Sequence, residues 1–295
     1  MNSLPTEFLL GIVVAAFPIT VLLFLNFLKR QVLYNHHRLA VVAKAFYNYY
    51  YSIKGIIHLR VNNYGYAPVD EEIANYEPEL QYGIQLYKEV IKNHRGYMIN
   101  DKTSVVEVGC GKGAGAEYLL QQFKPREYSG VDYSKNAINY CLSTYNCPKN
   151  VRFIFGDAHE LPFKEDSVDV VLNVESSHIY KDIDKFFAEV RRILKRGGIF
   201  LFADYRYVRN VPIHDLEMKI ADLGFAVLDR RIITPQIYNA CVLASEQRRK
   251  VISRASPWLL EKYFYHYAAL KGTEKLAHFG NGEIEYFIYH LEKQK

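Results

Sequence analysis

The chain has 295 residues and a formal net charge of +5, and 49% of its residues are hydrophobic. This length suits one large domain or one domain with additions, and the apolar share is sufficient for a substantial core. The four cysteines form no C-x-x-C pair and lack zinc-ligand spacing, so we interpret them as reduced thiols and exclude a zinc module.

The N-terminal segment predicts a membrane anchor over residues 1–30. Phe8 to Leu28 contains no charged residue, and about 20 such residues are needed for a helix to cross the hydrocarbon core. Lys29 and Arg30 follow this run, so the positive-inside rule predicts that the rest of the chain faces the cytosol. A cleaved signal peptide is the main alternative, although its positive charges would precede the apolar run.

Residues 31–74 form a segment of aromatic and basic composition. No acidic residue lies between Glu7 and Asp70, and this basic block adjoins the predicted anchor, which disfavours nucleic acid as a partner. Tyrosines such as Tyr50 and Tyr51 beside lysine and arginine fit the headgroup region of a membrane, and they also fit a helix packed on the globular domain. Residues 62–68 are predicted to be a loop that contributes to a lid over a substrate site.

Residues 75–295 alternate between strand and helix patterns after a first helix at 76–94. This alternation predicts a parallel sheet that is covered by helices on both faces, with ligands at the carboxyl ends of its strands. A helical insert at about 235–282 is long enough to cap a pocket. The predicted strands are Ser104–Val108, Tyr128–Asp132, Val151–Gly156, Val168–Val174, Ile199–Asp204, Phe225–Ile233 and Glu283–Leu291, with a turn at Lys195–Gly198.

The glycine-rich turn after the first strand is the strongest local signal. Its glycines occupy every second position from Gly109 to Gly115, which is not the dinucleotide-binding spacing. Glu107 directly before the turn would repel a pyrophosphate but suits a ligand that carries an ammonium group. S-adenosylmethionine has such a group and no phosphate, so we predict it as the cofactor. A structural turn without a ligand is the alternative.

Acidic residues follow the next two strands in order. Asp132 lies about 20 residues beyond the turn, where a carboxylate accepts hydrogen bonds from ribose hydroxyls. Asp157 ends the third strand and could accept one from an adenine amino group. Each residue alone could be a helix cap or a solvated side chain, but the ordered set favours a cofactor site.

The motifs resemble those of two related groups of proteins. E-x-G-x-G-x-G, V-D at the second strand and G-D-A-x-x-L-P-F resemble the class I S-adenosylmethionine methyltransferases over about residues 75–291. N-Y-G-Y, V-L-N-V-E-S-S-H at 171–178, F-A-E-V-R-R-I-L-K-R-G-G at 187–198, F-A-D at 202–204 and G-E-I-E-Y at 282–286 are similar to the phthiotriol/phenolphthiotriol dimycocerosate methyltransferase family, whose members O-methylate a hydroxyl on a long lipid.

This resemblance implies a Rossmann-like α/β sheet of seven strands in the order 3-2-1-4-5-7-6, with the last strand antiparallel. It also implies a set of cofactor contacts at the carboxyl edge of that sheet. These contacts are Glu107, Gly109, Gly111, Asp132, Asp157, Ala158 and Asn173.

Two further residues are candidates for the chemistry itself. An alcohol is a poor nucleophile until its proton begins to leave, so O-methylation requires a general base. His178 follows the fourth strand and is of the residue type that titrates near neutrality, and Asp204 ends the neighbouring fifth strand. We predict His178 as the base and Asp204 as its orienting or second carboxylate. A loop histidine bonded to backbone and a capping carboxylate are the structural alternatives.

Together these features predict a membrane-anchored O-methyltransferase that uses S-adenosylmethionine, faces the cytosol and acts on a hydroxyl of a lipid or other hydrophobic small molecule. No metal is predicted, because the sequence shows no clear ligand cluster. Two alternatives stay open: a sterol-type C-methyltransferase, which would need a carboxylate or aromatic cage for a carbocation, and a membrane adaptor that binds the cofactor without turnover.

Overall fold

The computed structural model describes residues 50–52, 60–68, 76–78, 80–92, 99–210 and 213–294. The predicted anchor at 8–28 and most of the aromatic and basic segment lie outside these ranges. Within them, no helix has the length and apolar character needed to cross a membrane.

The described residues form a seven-stranded sheet with the order β3-β2-β1-β4-β5-β7-β6. Its first five strands are parallel, and β7 runs antiparallel to both β5 and β6. The predicted strand order and the antiparallel last strand are therefore confirmed. The strands are β1 (Ser104–Val108), β2 (Glu127–Asp132), β3 (Val151–Phe155), β4 (Val168–Val174), β5 (Leu194–Tyr207), β6 (Phe225–Ile232) and β7 (Ile284–Lys293).

Helices cover both faces of this sheet, and each face has its own hydrophobic core. All five residues of β1 are buried, and they alternate between the cores: Val105 joins one, and Val106 and Val108 join the other. A strand that is buried on both faces has a nearly continuous run of apolar residues, and this pattern makes β1 predictable from the sequence. The helices are α1 (Gln81–Ile91), α2 (Ala114–Gln122), α3 (Lys135–Thr144), α4 (Ile183–Ile193), α5 (Ile213–Asp222), α6 (Thr234–Ala255), α7 (Glu261–Tyr267) and α8 (Glu274–Gly280).

The fifth strand corrects one sequence-based prediction. β5 begins at Leu194 and continues to Tyr207, whereas the sequence predicts a turn at 195–198 and a strand of only six residues. In the pairing with β4, Val168 faces Leu194 and Val170 faces Ile199, so residues 195–198 bulge out of a longer strand. The strand extends beyond Asp204 because β7 continues to pair with it there.

Tyr50 and Tyr51 belong to the globular domain. Their side chains are only 5% and 6% exposed, and the Tyr50 ring centre lies 6.1 Å from that of Phe264 and 5.9 Å from that of Tyr267. For these two residues the structure therefore supports packing on the domain rather than contact with lipid headgroups.

A fully buried carboxyl group lies beneath the glycine turn. Glu107, the fourth residue of β1, accepts hydrogen bonds from the hydroxyls of Tyr87 (2.7 Å to Oε1) and Tyr128. Burial raises the pKa of Glu107 from 4.5 to about 7, although both hydrogen bonds favour the charged form. Gly115 leaves room for the group, because a Cβ there would lie 2.6 Å from Oε1.

This burial predicts a specific dependence of stability on pH. Glu107 binds its proton more tightly in the folded state than in the unfolded state. The contribution of this proton to the free energy of unfolding is therefore complete below pH 4.5 and is lost as the pH rises through about 7. Relative to Glu107→Gln, the wild-type free energy of unfolding should fall by about 3 kcal/mol across this range in denaturant titrations. The exposed Glu127→Gln variant is the control. Parallel wild-type and Glu107→Gln curves would contradict the prediction.

Candidate active site

The glycine turn between β1 and α2 has a backbone that side chains would disrupt. Gly109, Gly111 and Gly113 have φ angles of 77°, 52° and 76°, in the left-handed region that favours glycine. A Cβ at Gly109 would lie 2.3 Å from Ser176 Oγ, and one at Gly111 would lie 2.9 Å from the Tyr51 hydroxyl. The turn is therefore closely packed on two sides, by the loop after β4 and by Tyr51.

Asp132 at the end of β2 holds this turn in place. Its Oδ2 accepts a hydrogen bond from the Gly111 amide (2.9 Å), and its Oδ1 accepts one from the Ser134 amide (2.7 Å). Burial raises the pKa of Asp132, and the two amide hydrogen bonds oppose that shift. Asp132 as a residue is half-buried at the carboxyl edge of the sheet. Contact with a ribose stays a prediction, and this position is compatible with it.

Asn173 at the end of β4 supplies a buried acceptor beside the turn. Its Nδ2 lies within hydrogen-bond distance of Val108 O (2.9 Å), Ser176 Oγ (2.7 Å) and the Tyr180 hydroxyl (3.1 Å), and its two protons can serve two of these acceptors at once. A backbone carbonyl can only accept, so Nδ2 must face Val108. The opposite atom, Oδ1, is then buried without a donor in the part of the chain that the structure describes. A ligand that brings an ammonium group fits this acceptor.

Asp157, Ala158 and Glu107, the other side chains predicted to contact the cofactor, lie near the same edge of the sheet. Asp157 follows β3, and its Oδ1 lies 2.6 Å from His159 Nδ1, while Ala158 is buried. The Glu107 oxygens face Tyr87 and Tyr128 beneath the turn. In this structure Glu107 therefore supports the turn from below, and its direct contact with a ligand stays a prediction.

His178 and Asp204 meet, as the neighbouring positions of β4 and β5 predict. His178 Nδ1 lies 2.8 Å from Asp204 Oδ1, and the His178 amide and the Ser177 hydroxyl donate to Asp204 Oδ2 at 3.0 and 2.6 Å. Burial would raise the pKa of Asp204, but His178 and the hydrogen bonds together lower it. An ionised Asp204 can only accept, so Nδ1 carries the proton and Nε2 is left to act as a base.

A lysine that the sequence does not single out lies behind this pair. The Tyr205 ring centre is 4.5 Å from that of His178, and Lys275 Nζ donates to the Tyr205 hydroxyl at 3.0 Å. Burial lowers the pKa of Lys275 from 10.5 to about 8. The helical pattern of the insert predicts α8, but it does not distinguish a lysine facing the site from one facing solvent.

Glu175 joins three parts of the chain at the end of β4. It has a left-handed φ of 52°, and its Oε2 accepts hydrogen bonds from the Tyr64 amide (2.9 Å) and the Tyr286 hydroxyl (3.1 Å). Burial raises the pKa of Glu175 from 4.5 to about 8. The loop at 60–68 is thereby attached to both β4 and β7.

A cleft of about 740 Å³, counted out to the open solvent at its mouth, adjoins these residues. His178 and Glu175 lie on one wall, residues 62–64 of the predicted lid loop contribute together with Val61, and Arg248 enters from α6. Arg248 Nη2 donates to the backbone carbonyls of Asn63 (3.2 Å) and Tyr64 (3.0 Å). Arg248 forms no ion pair with any residue inside the described ranges. The other lining side chains are mainly aromatic or apolar: Tyr50, Tyr64, Ile252, Phe264 and Tyr267.

Comparison with known proteins shows that this chain is similar to methyltransferases. A family model described as a methyltransferase domain matches residues 106–202. The fatty-acid O-methyltransferase of Mycolicibacterium smegmatis is 35% identical over 231 residues, which cover 77% of this chain and 81% of that protein. The phthiotriol/phenolphthiotriol dimycocerosates methyltransferase of Mycobacterium tuberculosis is 35% identical over 189 residues, covering 64% and 69% of the two chains.

Solved structures support the fold. The cyclopropane synthase MmaA2 from Mycobacterium tuberculosis superposes with a TM-score of 0.63 at 17% identity, covering 81% of this chain and 94% of that chain. The glycine turn and the buried acceptor of Asn173 are compatible with S-adenosylmethionine, the cofactor that the sequence predicts. On the extent and identity of these matches, the chain belongs to the class I S-adenosylmethionine-dependent methyltransferases, and S-adenosylmethionine is its cofactor.

Proposed function

We propose that this methyltransferase is membrane-anchored and methylates a hydroxyl oxygen of a lipid or another hydrophobic small molecule. The observation that carries the proposal is the His178–Asp204 pair on the wall of the aromatic cleft. A histidine oriented by a buried carboxylate is suited to remove a proton from an alcohol, which is the step that O-methylation requires.

The residues of the chain act mainly on the acceptor. When bound, S-adenosylmethionine supplies an electrophilic methyl group on its sulfonium. His178 Nε2 would take the proton of the acceptor hydroxyl, so that the oxygen becomes nucleophilic enough to accept that methyl group. Asp204 stays ionised, because its pKa is lowered, and stabilises the imidazolium that forms. Holding the two reactants in line supplies a further part of the rate.

The acceptor class is inferred from the cleft and from the relatives. Tyr50, Phe264 and Tyr267 give the cleft an aromatic lining that suits an apolar chain. The two relatives have names that refer to a fatty acid and to phthiotriol dimycocerosates. The predicted anchor at 8–28 would keep the enzyme on the cytosolic side of a membrane, where a lipid acceptor is concentrated.

Arg248 favours a second candidate acceptor, a fatty-acid carboxylate. An arginine in an aromatic cleft, with no carboxylate within ion-pair distance among the residues that the structure describes, can bind such a head group through charge-assisted hydrogen bonds. A carboxylate is already ionised and needs no general base. The two candidates therefore differ in the residue they depend on: an alcohol needs His178 for turnover, and a carboxylate needs Arg248 for binding.

The base assignment gives the first prediction. His178→Ala and Asp204→Asn should lower turnover of an alcohol acceptor by roughly 10²–10⁴-fold, since proton transfer loses its acceptor or its orientation. Binding of S-adenosylhomocysteine, followed by calorimetry, should stay near the wild-type value. His214→Ala, in an exposed position on α5, serves as the control. Wild-type turnover in both variants would show that the pair is structural.

The turn gives the second prediction. Gly111→Val would place side-chain atoms against Tyr51 in a strained backbone, and Asp132→Ala would remove the acceptor for the Gly111 amide. Both variants should bind S-adenosylhomocysteine at least roughly tenfold more weakly in calorimetry, because a charge-assisted hydrogen bond contributes about 1.5–3 kcal/mol. The exposed Asp101→Ala variant should bind normally. Unchanged affinity in the first two would place the cofactor elsewhere.

The third prediction separates the candidate acceptors. Enzyme incubated with methyl-labelled cofactor and total lipid extract should yield a methyl ether if an alcohol is the acceptor, a methyl ester if a carboxylate is, and label on carbon if the sterol-type alternative holds. Arg248→Gln should raise the KM for a fatty acid by roughly 10–100-fold and leave that for an alcohol near normal.

Arg152→Gln on the exposed side of β3 is the matched control for Arg248→Gln. Label on carbon would contradict the proposed O-methylation. Bound cofactor without transfer to any lipid would support the adaptor alternative instead.

A further inference from the structure

The helical segment between β6 and β7 carries an exposed apolar patch. A 3₁₀ turn at Trp258–Leu260 connects α6 to α7. The side chains of Trp258, Leu259 and Tyr263 are 78%, 64% and 53% exposed, and we call these three residues the cap patch. Single exposed apolar residues are ordinary, but large ones adjacent in a turn, including the only tryptophan of the chain, mark an interaction surface.

Charge around the cap patch indicates what kind of surface it meets. Residues 246–263 contain five basic and two acidic side chains, and of the five basic ones Arg248 lies in the cleft and Arg249 stacks on the Tyr265 ring. Arg254 and Lys262 are exposed next to the patch. Lys250 forms an ion pair with Glu246, with 3.7 Å between Lys250 Nζ and Glu246 Oε1. Protein segments at the membrane–water interface are rich in tryptophan and tyrosine flanked by arginine and lysine. There the aromatic rings lie at the depth of the lipid headgroups, and the cations face anionic lipid.

The cap patch also adjoins the wall of the cleft. Ile252 near the end of α6 lines the cleft, as do Phe264 and Tyr267 of α7, and the patch lies between them in the chain. The ring of exposed Tyr263 packs edge-on against that of buried Phe264, with centres 6.0 Å apart. The same short stretch of chain therefore faces solvent on one side and the cleft on the other.

We propose that the cap patch docks on an anionic lipid surface and so places the wall of the cleft against the bilayer. This contact is separate from the predicted anchor at 8–28: the anchor would keep the domain near the membrane, and the patch would orient it. A role in taking up the acceptor from the bilayer rests on the proposed function, whereas the lipid contact itself does not.

Trp258 provides the test, because its fluorescence reports on the patch alone. The full-length chain is reconstituted in phosphatidylcholine vesicles containing phosphatidylglycerol, with or without brominated acyl chains. The proposal predicts emission at shorter wavelength than for a water-exposed indole, quenching by the brominated lipid, and weaker quenching when phosphatidylglycerol is omitted. Emission typical of water, quenched by aqueous acrylamide and insensitive to brominated lipid, would overturn it, as expected if the patch binds a protein instead.

Leu259→Glu tests the functional consequence and retains the tryptophan probe. It should abolish quenching and lower methyl transfer to an acceptor embedded in vesicles by roughly tenfold, while transfer to a short, water-soluble acceptor is kept. Leu142→Glu on α3, a leucine that is 56% exposed, is the matched control. If no acceptor is methylated at all, the proposed function fails, and the fluorescence still decides whether the patch contacts lipid.

Discussion

The site depends on the close approach of the loop after β4 to the glycine turn. Ser176 occupies the space where a Cβ of Gly109 would lie, so the two loops pack together only because residue 109 is glycine. Asn173 secures the contact by donating to the Val108 carbonyl at the end of β1 and to the Ser176 hydroxyl in the loop after β4. His178 follows within the same loop, so this packing sets the candidate base beside the cofactor turn.

The carboxyl groups around this contact have pKa values shifted in opposite directions. Burial raises the pKa of Glu107 to about 7 and that of Glu175 to about 8, and the hydrogen bonds to these carboxyl groups only partly offset this effect. Asp204 is buried like Glu107, but His178 and the hydrogen bonds that its carboxylate accepts lower its pKa. One buried carboxylate is thus kept ionised next to the histidine, which is the arrangement that a histidine base requires.

Much of this arrangement is predictable from the sequence, for identifiable reasons. Strands buried on both faces read as apolar runs, and parallel strands place Asp132, Asn173 and Asp204 at one edge of the sheet. The motifs around Tyr64, Glu175 and Tyr286 are far apart in sequence, and the structure joins them through hydrogen bonds to a single carboxyl group.

Tertiary packing determines the features that the sequence does not predict. β5 is longer than its own pattern indicates because β7 extends the pairing. Glu107 is covered by tyrosines about 20 residues away on either side, and no local pattern signals that contact. Arg248 lines the cleft and Lys275 lies behind the His178–Asp204 pair, but the charged residues of their helices could equally face solvent. Helical periodicity identifies those helices but not their orientation.

The most direct measurement of the central claim is a structure of the enzyme with S-adenosylhomocysteine and a long-chain alcohol bound. We expect the alcohol oxygen to lie within hydrogen-bond reach of His178 Nε2, at about 2.6–3.2 Å, and its alkyl chain to lie along the aromatic lining of the cleft. An alcohol oxygen bound away from His178, with the imidazole turned toward backbone groups, would contradict it.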